Sequence, residues 1–224
     1  MKIIQHPSPN FGERRNEAPI SMLVMHYTGM KSSEASLARL CNEAAQVSAH
    51  YLIDEAGQVF QMVDEERRAW HAGVAYWRGI EDVNSHSIGI EIQNPGHEHG
   101  YHAFPEAQIA ALIDLSQPIV SRHDIPPAGI VGHSDIAPDR KTDPGELFPW
   151  AILASEGIGV FPEIGIETDV PLDTLLDRIG YRPDTLGRIA AFQRRFRPEK
   201  IDDHEDVDCS SRAAAYLGLL NDRS

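Results

Sequence analysis

In the stretch Gly132-His133-Ser134-Asp135-Ile136-Ala137-Pro138-Asp139-Arg140-Lys141-Thr142-Asp143-Pro144-Gly145, a histidine, a lysine and an aspartate share one turn-rich loop behind a short apolar run. Imidazole and carboxylate suit zinc, and a lysine beside them can hold charge on a reacting oxygen. Met22-Leu23-Val24-Met25-His26 offers the third ligand, an apolar strand ending in a histidine. Thr142-Asp143-Pro144-Gly145 is a turn that fixes the direction of its carboxylate. Without His133 upstream, Asp143 would read as a simple turn former. Two histidines and one carboxylate leave a fourth tetrahedral position for water, the open geometry of a hydrolytic zinc site.

There are 11 histidines, and an isolated one is usually a surface or satisfied core residue. His26 and His133 differ because both end apolar runs, where a sheet edge opens toward solvent. A hydrolytic zinc site also needs a carboxylate to take the water's proton and pass it to the leaving nitrogen. In Ser87-Ile88-Gly89-Ile90-Glu91-Ile92-Gln93 the isoleucines alternate onto one strand face and put Glu91 on the other. On pattern alone Glu91 reads equally as that base or as an exposed strand glutamate. Gly89 beside it leaves room for a ligand or another backbone. Lys141 would stabilise a tetrahedral oxyanion, or else pair with Asp139 or Asp143.

These side chains need a sheet to carry them. Residues 20–26 read as a buried strand, 51–53 and 58–63 as a strand pair around a turn, and 130–131 as a short strand delivering His133. Ser32 or Ser33 caps a helix with Leu37, Leu40, Cys41 and Ala44 on its apolar stripe. Pro105 opens another, with Ile109, Leu112 and Ile113 inward and Pro118 as its kink or end. Residues 1–19 read as polar and exposed. Strands and helices mix without strict alternation, which predicts an α/β fold with a mixed central sheet flanked by helices over residues 1–150. Residues 151–168, rich in Gly and Pro, read as a linker or strap. Residues 169–224 read as a small three-helix module, with Leu186, Ile189, Ala190 and Phe196 on the second stripe and Ala213, Tyr216, Leu217 and Leu220 on the third.

A chain of 224 residues with 42% hydrophobic and 24% charged content is an ordinary globular protein. The net charge of −14 excludes a general nucleic-acid binder and disfavours an anionic membrane surface. No run of about 18 apolar residues is available for a membrane span. Cys41 and Cys209 lack metal-ligand spacing, and Cys41 reads as a buried free thiol. The start of the chain has no apolar signal core of about 7–15 residues and no lipidation cysteine, which makes the cytoplasm the expected compartment and a periplasmic or wall-associated location the alternative.

Four ordered segments carry a family resemblance: Ser48-Ala49-His50-Tyr51, Arg68-Ala69-Trp70-His71-Ala72-Gly73, Ser87-Ile88-Gly89-Ile90-Glu91, and Gly132-His133-Ser134-Asp135-Ile136-Ala137-Pro138 through Asp143. Over roughly residues 20–150 the chain resembles the N-acetylmuramoyl-L-alanine amidases, in the zinc amidase superfamily that includes the peptidoglycan recognition proteins. The resemblance implies zinc on His26, His133 and Asp143, with Glu91 and Lys141 as the catalytic pair. Some phage members have a catalytic tyrosine where this chain has Ala49, which leaves the proton work to Glu91. It also implies Trp70, His71 and His50 as groove residues, Trp70 as an apolar platform and His71 as a hydrogen-bonding edge. Core packing around a loop is the other reading, and for His50 the two weigh equally. His97, His99 and His102 read as a substrate-flanking or solvated loop, not a second metal site.

The segments Leu175-Leu176-Asp177-Arg178-Ile179-Gly180-Tyr181 and Ile189-Ala190-Ala191-Phe192-Gln193-Arg194-Arg195-Phe196 resemble the three-helix peptidoglycan-binding module. That module usually carries Asp-Gly after its second helix; here Asp202-Asp203-His204-Glu205-Asp206 stands instead, leaving wall binding and a structural appendage both open. The implied activity is hydrolysis of the amide between N-acetylmuramic or 1,6-anhydro-N-acetylmuramic acid and the L-alanine of the stem peptide, with a muropeptide or peptidoglycan fragment as partner and a role in muropeptide recycling. The alternatives are an exported amidase on polymeric peptidoglycan, a non-catalytic muropeptide-binding module, which would have lost a zinc ligand, and a zinc hydrolase of another substrate.

Overall fold

The computed structural model describes residues 2–222. Its strands are β1 (Ile3–Gln5), β2 (Phe11–Glu13), β3 (Met22–Tyr27), β4 (Tyr51–Ile53), β5 (Val59–Gln61), β6 (Arg67–Ala69), β7 (Ser87–Ile92) and β8 (Ile130–Gly132). Six make one mixed sheet in the order β1-β5-β4-β7-β3-β8, and β2 pairs with β6 apart from it. The neighbours β4, β7, β3 and β8 are parallel, while β5 runs antiparallel to β4. The helices are α1 (Ser33–Leu40), α2 (Val83–His86), α3 (Gly96–His99), α4 (Glu106–Arg122), α5 (His133–Ile136), α6 (Trp150–Ser155), α7 (Leu172–Ile179), α8 (Arg188–Phe196) and α9 (Val207–Asn221). This is the α/β architecture with a mixed central sheet that the patterning predicts.

Alternation along β3 and β7 sorts the two faces. Leu23, Met25, Ile88, Ile90 and Ile92 bury against Ile109, Leu112, Leu115 and Ile119 of α4. Register pairs Met22 with Ser87, Val24 with Gly89 and His26 with Glu91 on the opposite face. Apolar residues therefore anchor the strands from one side, while the other is free to carry polar groups at its end. α1 begins where expected, with Ser32 Oγ accepting from the Ala35 N–H. Cys41 closes that helix half-buried, and both cysteines are free thiols.

Four expectations are corrected. The first 19 residues are not simply exposed: β1 pairs in parallel with β5, and β2 pairs with β6. Pro118 does not end its helix, because Asp114, whose carbonyl loses its i+4 donor there, is solvent-exposed, while Leu115 and Ile119 hold the helix to the sheet. The segment read as a strap contains α6, with Leu153, Ile158 and Val160 buried. Leu186 is 83% exposed, because Gly187 at φ +76° breaks the backbone before α8 starts.

The three C-terminal helices have no separate core. Leu172, Leu176, Ile179, Phe192, Phe196 and Tyr216 pack in one buried cluster with Met22, Val24, Ala72, Trp77 and Val131 of the sheet layer. Among the described residues, no helix is long and apolar enough to cross a membrane.

Candidate active site

In open sheets of this kind, sites form beyond the carboxyl ends of parallel strands. Here β3, β7 and β8 end at a cavity of about 480 Å³ lined by His26, Glu91, His133, Lys141, Asp143 and Trp70 among others. His26 and Glu91 are register partners near the ends of β3 and β7, and His133 follows β8 as the first residue of α5. The returning loop brings Asp143 back, tied by Lys141 N–H to the Ala137 carbonyl at 3.0 Å and by Ser134 N–H to the Asp143 carbonyl at 2.9 Å.

Three buried side chains converge. His26 Nδ1 lies 3.0 Å from His133 Nδ1 and 3.0 Å from Asp143 Oδ2, and His133 Nδ1 lies 3.1 Å from Asp143 Oδ2. His133 Nε2 is 3.0 Å from the Ala72 carbonyl, which can only accept, so Nε2 carries the hydrogen and Nδ1 presents a lone pair. Burial alone would raise the Asp143 carboxyl, but His133 and His26 outweigh it and hold it well below the usual carboxylate range. Burial first, and then His133, lower the His26 imidazole to about 4 despite Asp143, so it is neutral. One proton cannot satisfy all three edges of this triangle, whereas a single cation can. Two imidazole nitrogens and one carboxylate, with one of the imidazoles held from behind by a carbonyl, fit the donor set of a catalytic zinc site. It is the only such ligand group among the described residues.

Glu91 faces the same cavity with Oε2 buried and without a hydrogen-bond partner. Burial, reinforced by the Asp143 charge and opposed by Lys141, pushes its carboxyl well above the usual range. A carboxyl with raised proton affinity facing a cavity is suited to accept and return a proton. Lys141 also lines the cavity. Among the described residues it pairs with no carboxylate, neither Asp139 nor Asp143, so its charge is available to the cavity.

The groove residues divide. Trp70 lines the cavity half-buried. His50 is a correction: it is fully buried and outside the cavity lining. Its Nδ1 accepts from Gly89 N–H at 3.0 Å and its Nε2 meets the Arg67 carbonyl at 3.0 Å, so both nitrogens are used in the core. His71 does line the cavity, but Nδ1 meets His26 Nε2 and Nε2 meets Ser87 Oγ, so both ring nitrogens are engaged by protein groups rather than open as a hydrogen-bonding edge. His97 lines the cavity stacked on Tyr101 at 4.4 Å, with Nδ1 against Tyr27 Oη and Nε2 against Glu146, while His99 and His102 lie outside the lining.

Sequence reasoning passed over the group that braces α5. Asp135 Oδ2 accepts from Gly132 N–H at 2.8 Å and from Arg195 Nη1 at 2.8 Å, and its Oδ1 accepts from Tyr181 Oη at 2.7 Å. Arg195 Nη2 also donates to the Ile130 carbonyl at 3.0 Å. The C-terminal helices thus grip the turn that presents His133. An acid three residues after Gly132, at a capping position, was the signal available.

A buried acceptor cluster fit for one cation, beside a raised carboxyl and an unpaired lysine, is the equipment of a hydrolase. Residues 16–146 match the family described as N-acetylmuramoyl-L-alanine amidase, and the chain belongs to that family. It is an amidase. It is similar to the N-acetylmuramoyl-L-alanine amidase AmiD of Escherichia coli K12, with 40% identity over 230 residues covering 88% of this chain and 82% of that one. The 1,6-anhydro-N-acetylmuramyl-L-alanine amidase AmpD of Haemophilus influenzae is 35% identical across 65% of this chain and 87% of its own length. A solved structure of E. coli AmiD in complex with the substrate anhydro-N-acetylmuramic acid-L-Ala-D-γ-Glu-L-Lys superposes with TM-score 0.81 at 36% identity, covering 94% of this chain and 98% of that chain.

Proposed function

We propose that this amidase hydrolyses the bond between the lactyl carbonyl of N-acetylmuramic acid, or its 1,6-anhydro form, and the L-alanine of a stem peptide, with zinc held by His26, His133 and Asp143. The observation that carries this reading is the triangle of those three ligand atoms beside the unpartnered Glu91 carboxyl. Zinc, when bound, polarises the scissile carbonyl and lowers the pKa of water toward about 7.

The chain's own residues supply the rest. Glu91, as carboxylate, takes the proton of the attacking water and returns it to the amide nitrogen as the C–N bond breaks. Its raised affinity for protons suits both halves of that transfer. Lys141 directs its ammonium at the oxygen that becomes negative in the tetrahedral state. Trp70 offers its face to the sugar or to a peptide methyl.

The relatives named for anhydromuramyl substrates support soluble muropeptides, and hence recycling, as the substrate class. The core shared by the C-terminal helices and the sheet, with the Asp135–Arg195 pair, supports reading residues 169–222 as a brace of the catalytic layer rather than a wall-binding module.

The test is purified, zinc-loaded protein incubated with anhydromuropeptide and, separately, with intact sacculi, with products read by mass. Release of anhydromuramic acid and a stem peptide beginning with free L-alanine is expected, faster from the soluble fragment. Cleavage inside the peptide, or no release from either substrate, overturns the assignment. Faster release from sacculi overturns the recycling role alone.

A further inference from the structure

A single line of hydrogen bonds runs behind the ligand cluster. Ser87 Oγ donates its only hydrogen to the Val83 carbonyl at 2.7 Å, so toward His71 Nε2, 3.1 Å away, it is an acceptor. His71 therefore carries its hydrogen on Nε2 and a lone pair on Nδ1. That lone pair lies 3.0 Å from His26 Nε2, which supplies the hydrogen. His26 Nδ1 is then a bare acceptor 3.0 Å from Asp143 Oδ2. The line starts at a backbone carbonyl and leaves each ring one tautomer.

The neighbouring residue does the same for the other imidazole. The Ala72 carbonyl receives His133 Nε2–H at 3.0 Å and so frees His133 Nδ1. Both residues are pinned by one side chain, since Asn84 Oδ1 accepts from His71 N–H at 3.1 Å and from Ala72 N–H at 2.9 Å. Gly89 completes the seat: a Cβ there would stand 2.5 Å from His71 Cγ. The space beside Glu91 that the sequence offered to a ligand or a backbone is filled by the His71 ring.

We propose that the dipeptide His71-Ala72 is the positioning element of the metal site, holding both ligand histidines as Nε2–H tautomers with Nδ1 aimed at the metal. This rests on the reading of His26, His133 and Asp143 as metal ligands. Partners behind ligand histidines typically contribute 10–100-fold in metal affinity. His71 is a positioning residue, since both its nitrogens are spent on protein groups.

Two measurements test it. In metal-free wild type at mildly alkaline pH, long-range proton–nitrogen NMR correlations should show neutral His26 and His133 with hydrogen on Nε2. Hydrogen on Nδ1 of either ring overturns the proposal. Zinc affinity, read by chelator competition, should fall about 10–100-fold in His71→Phe, which keeps volume and removes the acceptor. His71→Asn, which can return an acceptor at the Nδ1 position, should recover most of that loss. Wild-type affinity in His71→Phe, or no recovery in a folded His71→Asn, also overturns it. Should wild type fail to bind zinc, the functional reading falls, while the metal-free spectrum still decides the tautomers.

Discussion

His26 and Glu91 are register partners on neighbouring parallel strands, so the proposed metal ligand and the proposed general base leave the sheet side by side on one face at its carboxyl edge. Their proximity is a consequence of strand pairing, and the mobility of a loop does not enter it. Their proposed duties are separable, because Glu91 is outside the three-residue ligand group that His26 completes and its Oε2 has no hydrogen-bond partner.

Glu91→Gln should therefore keep bound zinc and lose turnover by about 10²–10⁴-fold, the range of a removed general acid–base group. Elemental analysis and a turnover assay on one preparation check this. Loss of zinc together with activity would assign Glu91 to the metal instead.

Lys141→Met should lower kcat by about 10²–10³-fold with little change in KM, since its ammonium would act on charge that develops only in the transition state. Steady-state kinetics on a muropeptide decide it. A change confined to KM would make Lys141 a binding residue.

Arg195→Met should destabilise the fold by about 3–5 kcal/mol, because it leaves the Asp135 carboxylate buried without its cation. Both side chains are almost fully enclosed, at 4% and 1% exposure. Denaturant unfolding measures the difference. A loss near zero would mean the C-terminal helices sit on the sheet layer without bracing it.

Burial lowers the His50 imidazole to about 3, against about 6.5 in the unfolded chain. Between those values the unfolded state binds a proton that the folded state does not, so stability falls as pH drops through that window. Within it, His50→Gln should lose stability less steeply than wild type, by about 1.4 kcal/mol per pH unit at most. Urea unfolding of both proteins across the window checks the slope. Parallel slopes would contradict a neutral, buried His50.

The convergence of His26, His133 and Asp143 was legible because strand ends are legible: apolar runs closing in His26 and His133, and a turn behind them holding Asp143. The alternation of Ile88, Ile90 and Ile92 put Glu91 on the face of His26, while the choice of base over exposed glutamate came only from the family resemblance. His50 packs in the core and His71 lines the cavity with both ring nitrogens engaged, and neither outcome is legible in sequence, for a physical reason. A sequence shows an imidazole but not what meets its nitrogens, and here the partners are Gly89 N–H, the Arg67 carbonyl and Ser87 Oγ. Pro118 was open between a kink and an end, and the helix runs on past it because the carbonyl it orphans belongs to Asp114, which faces water. The brace at Asp135 joins residues 46 and 60 positions away in sequence, and only tertiary packing brings Tyr181 and Arg195 to it.

Hydrolysis in ¹⁸O-labelled water tests the chemistry most directly. With anhydromuropeptide as substrate, one ¹⁸O should enter the lactyl carboxylate of the released sugar, and none the peptide that leaves with free L-alanine. Label in the peptide, or a sugar released without label, would contradict attack of water on the lactyl carbonyl between Glu91 and the His26, His133 and Asp143 centre.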